Sequence, residues 1–299
     1  MILANGSQAI DLSNLRFRFE ISASDVETPN TARIRVYNLS RDLTTYATEF
    51  SQVVLSAGYG NNPGQIFKGT VKQFRKGRES NVDSFLDIFA ADGDLGYNFG
   101  IVNTTVPAGS TEAQRLQKYA AALGYPLDPN APSYLSSTGG ILPRGKVLFG
   151  LARNYMRDLA ETNNVRWSIQ NGVVTLIPLA GYLPGDIVVI NSATGMVGVP
   201  EATDQGILVQ TLLNPKIGVG RRVQINNKDI TSTLIKQQFF PGYSDLNLPA
   251  TVDSVGDGIY RVIVIEHEGD TRDVSWYTRL TCLLIDPSAA PDAAVAPYG

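Results

Sequence analysis

His267 is the single histidine in 299 residues and so the one imidazole available as a general base. It sits in the run Glu266-His267-Glu268-Gly269-Asp270. On a strand, successive side chains face opposite ways, so Glu266 and Glu268 point together and His267 points away from both. The three do not converge, and His267 reads as structural. A His-x-x-x-His zinc motif needs a second histidine, and the single cysteine, Cys282, allows neither an intrachain disulfide nor a cysteine-based metal site. Cys282 lies in Leu280-Thr281-Cys282-Leu283-Leu284, where a thiol packs as a small hydrophobe. Glycoside hydrolysis needs no histidine, only two carboxylates about 5 to 9 Å apart. Asp92 with Asp94, and Glu201 with Asp204, are the candidate pairs for a peptidoglycan hydrolase. Both occupy turns, where carboxylates commonly accept from nearby N–H groups. Neither a Gly-x-Ser-x-Gly elbow nor a phosphate-binding Gly-x-x-x-x-Gly-Lys-Ser/Thr loop is present. The residues therefore assign no catalytic, cofactor-binding or metal site and no cofactor.

Four arginines have a spacing of their own. Alternation puts Arg16 and Arg18 on one strand face, and Arg33 and Arg35 on a face that could adjoin it. They read as the solvated outer face of an amphipathic hairpin, or as a subunit or lumen surface complementary to an acidic partner. The 25 basic and 28 acidic residues are interspersed and sum to −3, so no block supplies the field that phosphate neutralisation needs. Specific nucleic-acid binding is not expected. Met1-Ile2-Leu3-Ala4-Asn5-Gly6-Ser7 lacks the pattern of a signal peptide, and nowhere do about 18 apolar residues run together, so no membrane span is expected.

The elements that would carry these residues are mostly strands. Leu15 to Ile21 alternates strictly, and Ala32 to Leu39 follows a turn at Pro29-Asn30, with Ser40 placed to cap a short helix through Tyr46. Val53 to Tyr59, Gln65 to Val71 and Ser84 to Ala90 complete a first set of strands joined by Gly, Asn and Pro turns, as at Gly60 to Gly64. Ser110 or Thr111 can cap a helix from Glu112 to Leu123, stopped by Gly124. A second helix is predicted from the apolar face Val147, Leu148, Leu151, Tyr155, Leu159 and Ala160, ending at Asn163 and Asn164. Val165 to Ile169 and Val173 to Ile177 flank an Asn-Gly hairpin signal. Strands return at Ile187 to Ile190, Gly206 to Leu213, Arg222 to Ile225, Gly258 to Glu268 and Trp276 to Leu284. Trp167 and Trp276 fall in strand patterns, which argues for core or interface rather than a sugar platform. The expected fold is mainly β (α+β): two antiparallel β-barrels, 1–97 and 186–286, with a small α/β domain, 98–185, between them and a flexible tail, 287–299.

Ordered along the chain, Arg35-Val36-Tyr37-Asn38-Leu39-Ser40, Val54 to Tyr59 and Ile66-Phe67-Lys68-Gly69-Thr70-Val71 resemble the first barrel of baseplate hub proteins from contractile-tailed phages. Thr194 to Pro200, Leu212 to Ile217, Tyr260-Arg261-Val262-Ile263 and His267 to Thr271 resemble the second. The resemblance implies tail-tube-like barrels, no enzymatic activity and a homotrimer whose six barrels adapt a sixfold tail tube to a threefold central spike. It further implies contact with other baseplate proteins and the tape-measure protein, a lumen through which DNA can pass, and a place in the virion tail after assembly in the host cytoplasm. A trimer offers six like contacts only when each chain supplies two comparable surfaces.

Overall fold

The computed structural model describes residues 1–5, 8–60, 63–135, 140–203, 206–226 and 258–285. The first half of the chain is built from β1 (Ile2–Asn5), β2 (Gln8–Asp11), β3 (Phe17–Ser24), β4 (Thr31–Tyr37), α1 (Arg41–Ala47), β5 (Gln52–Ala57), β6 (Gly64–Arg78) and β7 (Ser84–Ala91). An insert follows, with α2 (Asp94–Phe99), β8 (Ile101–Val106), α3 (Glu112–Leu123), β9 (Lys146–Leu151), α4 (Ala152–Thr162), β10 (Val165–Gln170) and β11 (Val173–Pro178). The second half holds β12 (Val188–Ile190), β13 (Met196–Thr203), β14 (Gly206–Leu212), β15 (Arg222–Ile225), β16 (Gly258–Asp270) and β17 (Trp276–Leu284). Among the described residues no helix is long and apolar enough to cross a membrane.

Local chemistry accounts for the boundaries. The Ser40 hydroxyl accepts from Leu43 N–H to start α1, and Thr111 with Gln114 forms a reciprocal capping box on α3, which Gly124 ends at φ +80°. Asn171 and Gly172, at φ +54° and +80°, make the β10–β11 turn that the Asn-Gly pair promised. The predicted second helix is shorter than its apolar pattern: residues 146–151 form β9, paired with β8, and α4 begins at Ala152. Gly150, at φ +149°, breaks the helical run there, and the β-branched residues of β8 offer a ladder instead. The bend expected at Gly269 also moves outward, because β16 continues to Asp270.

Thirteen strands form one sheet in the order β13-β14-β17-β16-β3-β4-β7-β6-β5-β1-β2, with β15 on β16 and β12 on β15. The β12–β15 pair is parallel. Two separate closed sheets were expected. Among the described residues the strands instead follow one open path, because the distal part of β16 pairs antiparallel with β3, from Val264↔Ser24 to Asp270↔Arg18. The predicted tail, Asp204, and Asn61 and Asn62 of the first-half turn lie outside the described residues.

The two halves repeat one arrangement. In the first the order is β3-β4-β7-β6-β5, and in the second β13-β14-β17-β16-β15, with every neighbouring pair antiparallel. The long strands β6 and β16 even share a bulge at matching places. The ladder slips between Val71↔Ala90 and Gln73↔Phe89 in one half, and between Val262↔Cys282 and Val264↔Thr281 in the other.

Three apolar clusters lie beneath this frame. The first gathers Leu3, Phe19, Ile34, Leu55, Leu86 and Ile88; the second, in the insert, Leu116, Leu148, Met156, Trp167 and Leu176; the third Ile190, Val209, Val223, Val262, Leu280 and Cys282. Leu213 and Trp276 of the second half pack into the first cluster, where Trp276 meets Phe19 edge-on at 5.3 Å between ring centroids. Gly269 passes between these rings: a Cβ placed there would come within 2.6 Å of both. Gly269→Ala is therefore expected to overpack the joint and cost about 1–3 kcal/mol. A urea midpoint equal to that of the parent protein would refute this packing.

Candidate functional site

Strand alternation gives the joined sheet one polar face that runs across both halves. One row of cross-strand neighbours reads Tyr277, Glu268, Glu20, Arg33, Phe89 and Gln73; the next reads Asp270, Arg18, Arg35, Asp87 and Arg75. The opposite face buries Phe19, Ile21, Ile34, Ile88, Ile265, His267 and Leu280. On the polar side a trough of about 760 Å³ crosses the joint, bounded by Glu20, Arg33, Lys72, Asp94, Glu266 and Arg279.

The four arginines singled out by their spacing are held by carboxylates of the same chain. Arg35 donates to both oxygens of the fully buried Asp87, at 2.6 and 3.0 Å, and lies 3.9 Å from the centre of the Phe85 ring. That bidentate bond raises the Arg35 pKa. Arg33 approaches the same carboxylate at 3.6 Å, Arg18 donates to Glu20 at 2.9 Å, and Arg16 grips Asp270 at 2.8 Å. Arg279 holds Glu268 at 3.2 Å, and Lys72 bonds Asp94. These six cations of the polar face are thus committed to carboxylates of the same chain.

Among the described residues the catalytic candidates do not come together, and Asp204, the partner proposed for Glu201, lies outside them. His267 is buried, its Nδ1 2.8 Å from Thr278 Oγ1, while Glu266 and Glu268 lie on the polar face. Burial holds its pKa down at about 4. Asp92 is buried too, and desolvation lifts its pKa to about 7 although Gly172 N–H donates to it at 2.9 Å. Asp94 is taken up by Lys72 and by Asn98, which donates at 3.0 Å. Glu201 is exposed on β13. Cys282 is buried, with its pKa pushed up to about 12 by desolvation, so its thiol is inert. Among the described residues no three His, Cys, Asp or Glu side chains gather to hold a metal.

A buried junction escaped the sequence pattern. Asp25, just past β3, accepts from Arg166 of the insert at 2.7 Å and lies 3.8 Å from Arg261 of β16. Arg261 in turn donates to the carbonyls of Pro178, Leu179 and Gly181 at 2.6 to 3.1 Å. Its only sequence signal is an arginine inside the apolar run Ile259-Tyr260-Arg261-Val262.

The two perturbed groups generate opposite pH dependences. His267, with its pKa below the ordinary 6.5, contributes stability that is full above about pH 6.5 and is lost as pH falls toward about 4. Asp92, with its pKa raised from 3.8, contributes stability that is full below about pH 3.8 and is lost as pH rises through about 7. Between these limits the slopes oppose, each reaching at most about 1.4 kcal/mol per pH unit. Relative to the parent protein, His267→Gln should gain stability as pH drops from 6.5 to 4.5 and Asp92→Asn should lose it, read as thermal midpoints. Parallel pH profiles for the two variants would contradict both assignments.

No protein-family model matches the chain. No curated protein matches it either. Solved structures do. A 43 kDa tail protein of prophage MuSo2 from Shewanella oneidensis superposes over 95% of this chain and 97% of its own, with a TM-score of 0.59 and 8% identity. A tail protein from Neisseria meningitidis covers 89% of this chain and 91% of its own, at TM-score 0.54 and 8% identity. An Escherichia coli type VI secretion component, described as structurally similar to the bacteriophage T4 tail proteins gp27 and gp5, covers 91% and 74%, at TM-score 0.52 and 10% identity. The chain has the fold of these tail proteins, and the resemblance to baseplate hub proteins holds at the level of the fold.

Proposed function

We propose that the chain is a non-enzymatic structural subunit of a contractile-tail baseplate hub. Three copies surround an axis, and their six half-sheets match a sixfold tail tube on one side and a threefold spike on the other. The observation that carries this reading is the repeat within the sheet, down to the shared bulge of β6 and β16. A protein that presents two like surfaces per chain can meet a sixfold partner with three copies. Each half-sheet, 1–97 and 186–286, is then one tube-like unit, and the insert, 98–185, with its own apolar cluster, is the third domain.

The polar face supports the same role. Turned toward the axis, a surface whose Arg16, Arg18, Arg33 and Arg35 are already held by carboxylates lets DNA or a tape-measure segment pass with little grip, since strong phosphate binding requires uncommitted positive charge. The remaining surfaces meet the tube, spike and neighbouring baseplate proteins in the virion tail, assembled in the host cytoplasm. Light scattering of the purified protein should give the mass of three chains, and images of the particle should show a threefold ring with six lobes. A protein that stays monomeric at high concentration, even with its spike partner added, would sink the proposal.

A further inference from the structure

Superposing the repeat on itself locates a contact that the isolated chain leaves open. Within the chain, the first strand of one half, β3, is laid along the distal part of the long strand of the other half, β16. The matching strands are β13 and β6. β13 is the terminal strand of the sheet path, and β6 beyond Val71 is paired with β7 alone among the described residues. We propose that β13 of one copy pairs antiparallel with residues 73–78 of β6 in a second copy, repeating between chains the seam that β3 and β16 form within one. This deepens the hub reading and depends on it for the number of copies.

The register follows from the pairings. The common bulge equates Thr281 with Phe89 and Arg279 with Asp87, and therefore Glu266 with Arg75 and Glu268 with Gly77. On the other strand, Leu208, opposite Thr281, matches Arg33, opposite Phe89, so Glu201 takes the place of Glu20. Because Glu20 faces Glu268 inside the chain, Glu201 of one copy faces Gly77 of the next and lies diagonal to Arg75. The charges agree with this placement. Residues 72–78 carry Lys72, Arg75, Lys76 and Arg78 and no acid, whereas residues 196–203 carry Glu201 and no cation. Like edges repel and unlike edges attract, so the contact is heterologous, the kind that closes rings. β13 departs from β3 by its bulge between Val197 and Glu201, and Pro200 within that bulge lacks an N–H, so the pairing centres on Glu201.

The test uses two single variants, Glu201→Cys and Arg75→Cys, produced apart and together in the full chain and treated with a short bis-maleimide. Diagonal neighbours about 7–8 Å apart lie within reach of such a linker, and the buried Cys282 does not react. Crosslinked dimer is expected only when the variants are co-produced, at a yield about ten-fold above either alone. No dimer in a protein whose mass is that of three chains would overturn the seam and leave the hub reading standing. Equal dimer from one variant alone would overturn it as well, since that requires a self-matching contact. A monomeric mass would overturn both. Replacement of Arg75 by Gln73→Cys, one pair further along β6, should abolish the band, and persistence of the band would overturn the register.

Discussion

The fold depends on one backbone ladder, in which β16 crosses from its own half to lie against β3. Without it the polar face would not run across both halves. The ladder closes a loop of more than 200 residues, an ordering cost that grows only slowly with length. Side chains on both faces reinforce it. Trp276 and Leu213 fill the first cluster from the second half, and the Arg16–Asp270 pair clamps its distal end across 254 positions. Gly269 allows the approach, because any larger residue would displace the rings beside it.

The same crossing fixes the insert. The connection between β3 and β4 reaches into it: Asn30 donates to Ile169 O and Gln170 Oε1, both at 3.0 Å, Gln170 returns a bond to Ser24 O, and Trp167 Nε1 donates to Glu27. Asp25 then meets Arg166 and Arg261, so all three units of the chain converge on one carboxylate. Buried ion pairs of this sort add little net stability, since desolvation offsets attraction, but a wrong docking angle would leave a charge unpaired. The junction thus acts on geometry more than on energy. It holds the insert in one orientation against the sheet.

Strand periodicity made much of this legible in the sequence. The alternation from Leu15 to Ile21, the Asn171-Gly172 turn and the capped helix after Thr111 are local signals, and they appear where local physics puts them. The failures are of a different kind. β8 and β9 stabilise each other across about 40 residues, so the apolar pattern at Val147 and Leu148 reads as helix until its partner is known. The seam between β3 and β16 leaves no local trace at all, since an edge strand and a paired strand alternate alike. For the polar groups, one histidine pointing away from its acidic neighbours follows from alternation alone, whereas Asp25 and Arg261 are joined by tertiary packing.

The two halves share their strand pairing and not their residue types. Their equivalence lies in the pairing, and the side chains at matched positions are free to exchange roles. Arg75 opposite Asp87 in the first half corresponds to Glu266 opposite Arg279 in the second, opposite charges in register with the polarity reversed. Beneath them, the fully buried Leu86 corresponds to Thr278, which is why a histidine can be buried there: Thr278 supplies the hydroxyl that His267 bonds. A backbone ladder constrains register and twist and leaves each face to satisfy its own neighbours. What a ring of such chains would have to conserve is therefore the spacing of its strands, and the polar face tolerates exchange as long as each cation keeps a carboxylate within reach.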